Sequence, residues 1–197
     1  MARQEINIGA SANDGTGDAL RDAFDKVNDN EKILFDTLGW AYYKDDNVSP
    51  ANINITTTPT LVTINGLDVN SNSEYLPRII RGTGELWNTT TNKIEPINAG
   101  DAYDVRLDFD VISRSGNPQY MTLELDIGGG ASPTISIVKR RLEINRTPTF
   151  SLSLAFPIFC LTTFFTNGGQ LFLSTDTGSA EIDNQAIVIK RDFSSQL

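Results

Sequence analysis

The sequence predicts a mainly β protein, in which an N-terminal arm and one α-helix lead into an antiparallel jelly-roll β-sandwich. Three observations predict it. A single amphipathic helical stripe falls between residues 18 and 38; about ten short β-like runs follow residue 52, separated by Gly, Pro, Asn and Ser clusters; and several of those runs alternate apolar and polar residues with the period of two that belongs to a half-buried strand. The division is residues 1–46 for the arm and helix and residues 47–197 for the sandwich.

The arm reads INIGASANDGTGD over residues 6–18. It is not a nucleotide loop, because Gly15-Thr16-Gly17 is followed by Asp18 and Ala19, with neither the lysine nor the third glycine that phosphate cradling requires. Nor does it complete a calcium loop, and neither does Asp68-Val69-Asn70-Ser71-Asn72-Ser73-Glu74, which reads as an Asx-rich turn. Two readings of the arm stand side by side: a linker that ends in a helix cap, and an extended segment whose Ile6 and Ile8 pair with the sheet edge of a partner.

In the helix, Leu20, Phe24, Val27, Leu34 and Leu38 are spaced three, four or seven apart and share one face. Asp18 is expected as its N-cap and Gly39 as its stop. Nothing helical follows to pack on that stripe, so it lies either on the chain's own sandwich or against copies of itself in a short coiled coil, with Glu31 interrupting the seam.

Residues 40–52, WAYYKDDNVSPAN, read as a hinge. Beyond them Tyr103, Val105, Leu107, Phe109 and Val111 alternate with Asp104, Arg106, Asp108 and Asp110, and Met121, Leu123, Leu125 and Ile127 with Thr122, Glu124 and Asp126. Further strands are expected in LVTIN, PRIIRGTG, ELWNT, KIEPI, TISIVKRRLEI, QLFLST and NQAIVIKRDF. The run FSLSLAFPIFCLTTFF, read as one strand, holds five of the ten phenylalanines and becomes apolar on both faces, as does Ile187-Val188-Ile189. A sandwich strand normally wets its outer face, so these imply a cover from outside, and neighbouring subunits supply it economically.

Composition excludes several functions. A net charge of −9, from 25 acidic and 16 basic residues, repels nucleic acid and anionic membranes. Lys139, Arg140, Arg141 and Arg146 form the one basic cluster, read as a solvated edge or a contact to an acidic subunit. The lone Cys160 sits in an apolar run and reads as a buried small hydrophobe. There is no histidine, and carboxylate pairs such as Asp108 and Asp110 stand where a strand's wet face needs them, so no enzymatic site, cofactor or metal is expected. Exposed aromatics, Trp87 in ELWNTTTN foremost, could contact a host-surface glycan, although a tryptophan there also suits a sandwich edge.

The stretch INIGASANDGTGDALRDAFDKVNDN, residues 6–30, resembles the opening of baseplate wedge and tail-fibre proteins of contractile-tailed phages: INIG, small residues, NDGTGD, then LR, a hydrophobic residue and K-[IV]-N-x-N. It departs from that pattern after Asn30, where Glu31 and Lys32 stand in place of an aromatic. The closing strands, with NGGQLFLSTDTGSAEIDNQAIVIKRDF, resemble the trimeric jelly rolls of the tumour-necrosis-factor and complement-C1q type. Together the resemblances imply a homotrimeric virion structural protein of the tail, baseplate or fibre, located in the virion after assembly in the host cytoplasm; a capsid decoration or head fibre and a glycan-binding receptor module are the alternatives. They imply virion docking through Ile6, Ile8, Asn13, Asp14, Gly15, Gly17, Asp18, Leu20 and Arg21. The trimer interface they imply comprises Phe24, Val27, Leu34, Phe156, Ile158, Phe159, Leu161, Phe164 and Phe165. The implied partners are copies of the chain and other virion proteins.

Overall fold

A computed structural model describes residues 4–11, 15–48, 52–76, 84–146 and 149–195, the side chains of residues 32–37 excepted. Its elements are α1 (Leu20–Thr37), β1 (Gly39–Lys44), β2 (Ile53–Thr56), β3 (Thr60–Leu61), β4 (Trp87–Asn88), β5 (Lys93–Ile94), β6 (Ala102–Ser115), β7 (Tyr120–Asp126), β8 (Ser136–Glu143), β9 (Phe150–Phe159), α2 (Thr162–Asn167), β10 (Gln170–Thr175) and β11 (Ser179–Phe193).

Two antiparallel sheets carry the fold. One runs β1-β11-β6-β9, with β2 following β1 along the same edge of β11; the other runs β3-β10-β7-β8. From β6 onward the chain passes from the first sheet to the second for β7 and β8, back for β9, across for β10 and back for β11. That wrapping of two sheets around one core is the jelly roll. The alternating faces of β6 and β7 point as their sequences require: Tyr103, Val105, Leu107, Phe109 and Val111 meet Met121, Leu123, Leu125 and Ile127 in the core, joined by Leu171, Leu173, Ile187 and Ile189.

Two expected connections are different in the structure. Residues 39–44 form a strand instead of a hinge: β1 pairs with residues 186–191 of β11, burying Ala41 and Tyr43. Its outer edge is covered by residues 66–76, through the mutual backbone bonds of Tyr42 and Asn72 and the bond from the Trp40 N–H to the Tyr75 carbonyl. FSLSLAFPIFCLTTFF is not one strand either. β9 ends at Phe159, and α2 begins at Thr162 after the extended residue Leu161. The segment PRIIRGTG lies almost wholly outside the described residues.

β9 keeps one buried and one wet face along its whole length, with Ser151, Ser153, Ala155, Pro157 and Phe159 outward. Pro157, lacking an N–H, is tolerated because β9 is an edge strand. Phe156, Ile158, Cys160 and Phe164 belong to the chain's own core, so the two-faced apolar ribbon expected there is about half internal packing.

The helix differs at both ends. It starts one residue after Ala19, which has no side-chain cap bond, and it stops at Thr37 with Leu38 already extended, before Gly39 enters β1. Among the described residues, helix α1 makes no sustained contact with either sheet, and Leu20 and Phe24 stand exposed. Leu20, Phe24 and Leu38 of its stripe are therefore not covered by the chain's own sandwich. Among the described residues, no helix is long and apolar enough to cross a membrane.

Candidate interaction site

Two features of the surface stand out: the N-terminal latch and the apolar end of the first sheet.

The latch ties the arm to α1 through Gln4, Glu5, Asn7, Asp18, Lys26 and Asn30. Asn30 reaches back across the helix to Gln4 and treats it as a strand neighbour: its side-chain oxygen accepts from the Gln4 N–H at 2.8 Å and its amide nitrogen donates to the Gln4 carbonyl at 2.9 Å. Lys26 donates to the Glu5 carbonyl at 3.0 Å and pairs with Asp18 at 2.6 Å. Asp18 in turn accepts from the Asn7 N–H at 2.8 Å and donates its own N–H to the Asn7 carbonyl at 2.8 Å. The Asn7 side chain closes the turn by donating to the Thr16 carbonyl at 2.7 Å. This is why Asp18 does not cap the helix: its carboxylate is spent on the arm. The Lys26 bond first, and the Asn7 bond second, hold that carboxyl below its ordinary value of 3.8. Gly17 permits the closure, since a Cβ there would stand 3.0 Å from the Asn7 carbonyl oxygen, against rigid backbone.

The latch sets what the arm presents outward. Gln4 has both backbone groups committed to Asn30 of α1 and Asn7 has both committed to Asp18, two residues before the helix, so the latched arm does not offer a continuous row of free groups to a partner's sheet edge. What it presents outward are side chains, with Ile8 88% exposed and Ile6 half as much. Gly15 and Arg21 are also exposed, and Leu20 begins the open helix face. Asn13, Asp14 and the side chain of Leu34 lie outside the described residues.

The second surface is where α1 runs into the sandwich. Ala102 of β6 is in register with Phe159 of β9 on one side and Phe193 of β11 on the other. All three project from the outer face, and the phenylalanines are 71% and 52% exposed. Leu161, also 71% exposed, and Phe165 on α2 extend the apolar area. Of the residues expected at a trimer interface, Phe159, Leu161 and Phe165 are thus available, with Phe24 open and Val27 half-buried on the helix. Phe156, Ile158 and Phe164 are different: each is buried in the core of the single chain.

Beneath this apolar end lies a buried polar node that sequence reasoning missed. The Arg191 guanidinium pairs with Asp101 at 2.7 Å, both side chains fully buried. Asp101 also accepts from the Tyr103 hydroxyl at 2.9 Å, the Asn98 N–H at 3.1 Å and the Ser195 N–H at 2.9 Å, while Arg191 donates to the Ser194 hydroxyl at 2.9 Å. The Cys160 N–H donates to the Asp101 carbonyl at 2.8 Å. The node therefore locks the start of β6, the end of β9 and the end of β11 to one another, and it holds rigid the strand ends that display Phe159 and Phe193. Its only sequence signal was an arginine at an inward position of β11.

Trp87 is not a surface aromatic. It is 1% exposed, and its indole N–H points at the Ile64 carbonyl. Asp68 spends its oxygens on Asn70 and on Lys44, 3.5 Å away, as an Asx-type turn does. Among the described residues, no group of three or more acidic, cysteine or histidine side chains is placed to hold a metal ion.

No family model matches the chain, and no curated protein matches it in sequence. Solved structures similar to it include an Eiger tumour-necrosis-factor protein from S. frugiperda, 8% identical, with a TM-score of 0.48 over 82% of this chain and 96% of that one. The vertex protein P5 of PRD1 is 16% identical, with a TM-score of 0.45 over 79% of this chain and 96% of that one. A Bacillus endospore appendage pilus protein is 11% identical, with a TM-score of 0.35 over 80% and 91% of the two chains. The functional reading rests on this chain's own surfaces and motif.

Proposed function

We propose that the chain is a bacteriophage virion structural protein that assembles as a homotrimer, docks to the particle through its N-terminal arm and helix, and projects its jelly roll outward as a tail, baseplate or fibre component. Its role is architectural and not catalytic. The observation that carries the reading is the apolar row Phe159-Ala102-Phe193, set on a rigid sheet end at the point where an uncovered helix stripe enters the sandwich. Burying a side chain of this size is worth about 1.5–3 kcal/mol, so a row of them left in water favours association. A partner related by rotation about an axis near α1 would cover the helix stripe and the sheet end together, which fits a closed ring of identical chains.

The phage-like motif supports the docking half of the proposal. Its polar residues serve the latch, and the latch leaves Ile6 and Ile8 displayed at the tip. Docking then uses apolar side chains on a preformed scaffold, which lowers the ordering cost that a loose arm would meet on binding. Incorporation into particles tests this half: removal of residues 1–17 should abolish incorporation, and immunogold labelling of complete particles should mark the tail. Truncated protein found in particles at the normal level would contradict docking by the arm.

A further inference from the structure

Strand β8 borders the second sheet: it pairs with β7, from Glu143 opposite Tyr120 to Ser136 opposite Asp126, and has no described strand on its other side. In an antiparallel pair alternate residues turn their N–H and C=O groups away from the neighbour, so β8 presents a row of open backbone groups. Along that row stand the exposed side chains of Ile137, Lys139, Arg140 and Arg141, with Ile135 exposed before the strand and Arg146 beyond it. Lys139 is engaged, its ammonium 2.8 Å from the Glu124 carboxylate. The arginines are not. Among the described residues, no carboxylate lies within ion-pair distance of Arg140, Arg141 or Arg146, in a chain that holds 25 acidic residues.

Two of these arginines are set in place by rings. The Arg141 guanidinium carbon stands 3.7 Å from the centroid of the Tyr120 ring, and that of Arg146 stands 5.8 Å from the centroid of Phe150. A guanidinium resting on a ring keeps the N–H fork that matches a planar carboxylate in two parallel hydrogen bonds, and it loses less freedom when it binds one. Arg141 is in register with Thr122 and Arg140 with Leu123, so the two belong to opposite faces of the sheet. A further strand with carboxylates on both of its faces meets both. The other edges indicate where such a strand comes from. Copies of β8 repel one another by charge, and strands β1 to β5 and β9, which border the sheets, contain no acidic residue. A nucleic acid would have to approach a chain of net charge −9.

We propose that β8 is an acceptor edge for an acidic, extended segment of a different protein, which adds to the second sheet as a further strand and places its carboxylates on Arg140, Arg141 and Arg146. Backbone bonds to the open row supply the pairing, and the guanidinium forks select acidic side chains. The edge belongs to the second sheet, whereas Phe159, Ala102 and Phe193 belong to the first. It therefore stands or falls apart from the oligomeric state.

The test is an amide-resolved NMR titration of the full chain with a short acetylated peptide that carries consecutive glutamates between threonine and valine residues. Its controls are the same peptide N-methylated at alternate residues, which keeps the charge but cannot pair as a strand, a lysine-for-glutamate peptide, and a short single-stranded DNA. The proposal expects saturable shifts at residues 136–143 from the glutamate peptide alone, weakened at least fivefold when salt rises from about 0.1 to about 0.5 M. The double variant Arg140→Gln with Arg141→Gln should lower the affinity at least fivefold, and Arg141→Lys, which keeps the charge without the fork, at least twofold. No saturable response to the glutamate peptide overturns the proposal. So does an equal response to the N-methylated peptide or to the lysine peptide, binding that ignores salt, or undiminished binding by the double variant. An equal response to the DNA overturns it in favour of a surface for polyanions. If the double variant does not fold, undiminished binding by Arg141→Lys serves as the overturning result.

Discussion

Phe159 and Phe193 stand on opposite sides of Ala102, each in strand register with it, and both face solvent. The small residue between them leaves both rings open, on the surface proposed above to be covered by a sister chain. Replacing both phenylalanines by serine should therefore weaken self-association by at least tenfold in sedimentation experiments. The thermal midpoint of the dissociated chain should hardly move, because exposed substitutions usually change stability by no more than about 0.5 kcal/mol. A large fall in that midpoint with unchanged association would show that these rings serve the monomer.

The node below behaves in the opposite manner. Arg191→Met removes one partner of a fully buried ion pair and leaves the Asp101 carboxyl buried without its cationic partner. Such single deletions cost about 3–5 kcal/mol. Urea unfolding should report a loss of that size. The double variant Asp101→Asn with Arg191→Met should recover part of it, since no unpaired charge remains.

The arm latch should depend on acid. Lys26 and Asn7 depress the folded-state pKa of Asp18 below 3.8, so its contribution is present above the unfolded value and is lost as pH falls through the folded one. Protease cleavage within residues 4–9 should be slow at neutral pH and accelerate below about pH 4. Asn30→Ala, which removes two bonds worth about 1 kcal/mol each, should accelerate it at neutral pH as well, while the sandwich stays protected.

Cys160 should be inert in the native protein. Burial first, with the Asp101 charge nearby, pushes its thiol up to about 12, so almost no thiolate exists at pH 8. A thiol reagent should label it only as fast as the chain unfolds. Rapid labelling of the folded protein would show that the end of β9 opens.

Much of the sandwich was readable because period-two alternation leaves few options: a register slip in β6 would turn Tyr103, Val105 and Leu107 into water. The break at Cys160 was not readable by that rule. Residues 156–161 are apolar throughout, and neither glycine nor proline marks the turn at Leu161, whereas Asn167-Gly168-Gly169 does mark the helix's end. β1 was hidden by its brevity and by the Asp-Asn-rich stretch after it, although Ala41 and Tyr43 against Trp40 and Tyr42 carry the alternation. The latch could not be read either, because its bonds join residues up to 26 positions apart, and sequence spacing alone does not show which polar side chains meet. Trp87 was ambiguous for a similar reason, since its burial depends on Ile64 approaching from a distant segment.

The account turns on whether the exposed row and the open helix stripe are covered by sister chains. Sedimentation equilibrium of the full protein at neutral pH reports this directly. A mass three times the 21.6 kDa chain, falling towards a single chain when Phe159 and Phe193 are both changed to serine, is the predicted result. A single-chain mass that holds at high protein concentration would contradict it.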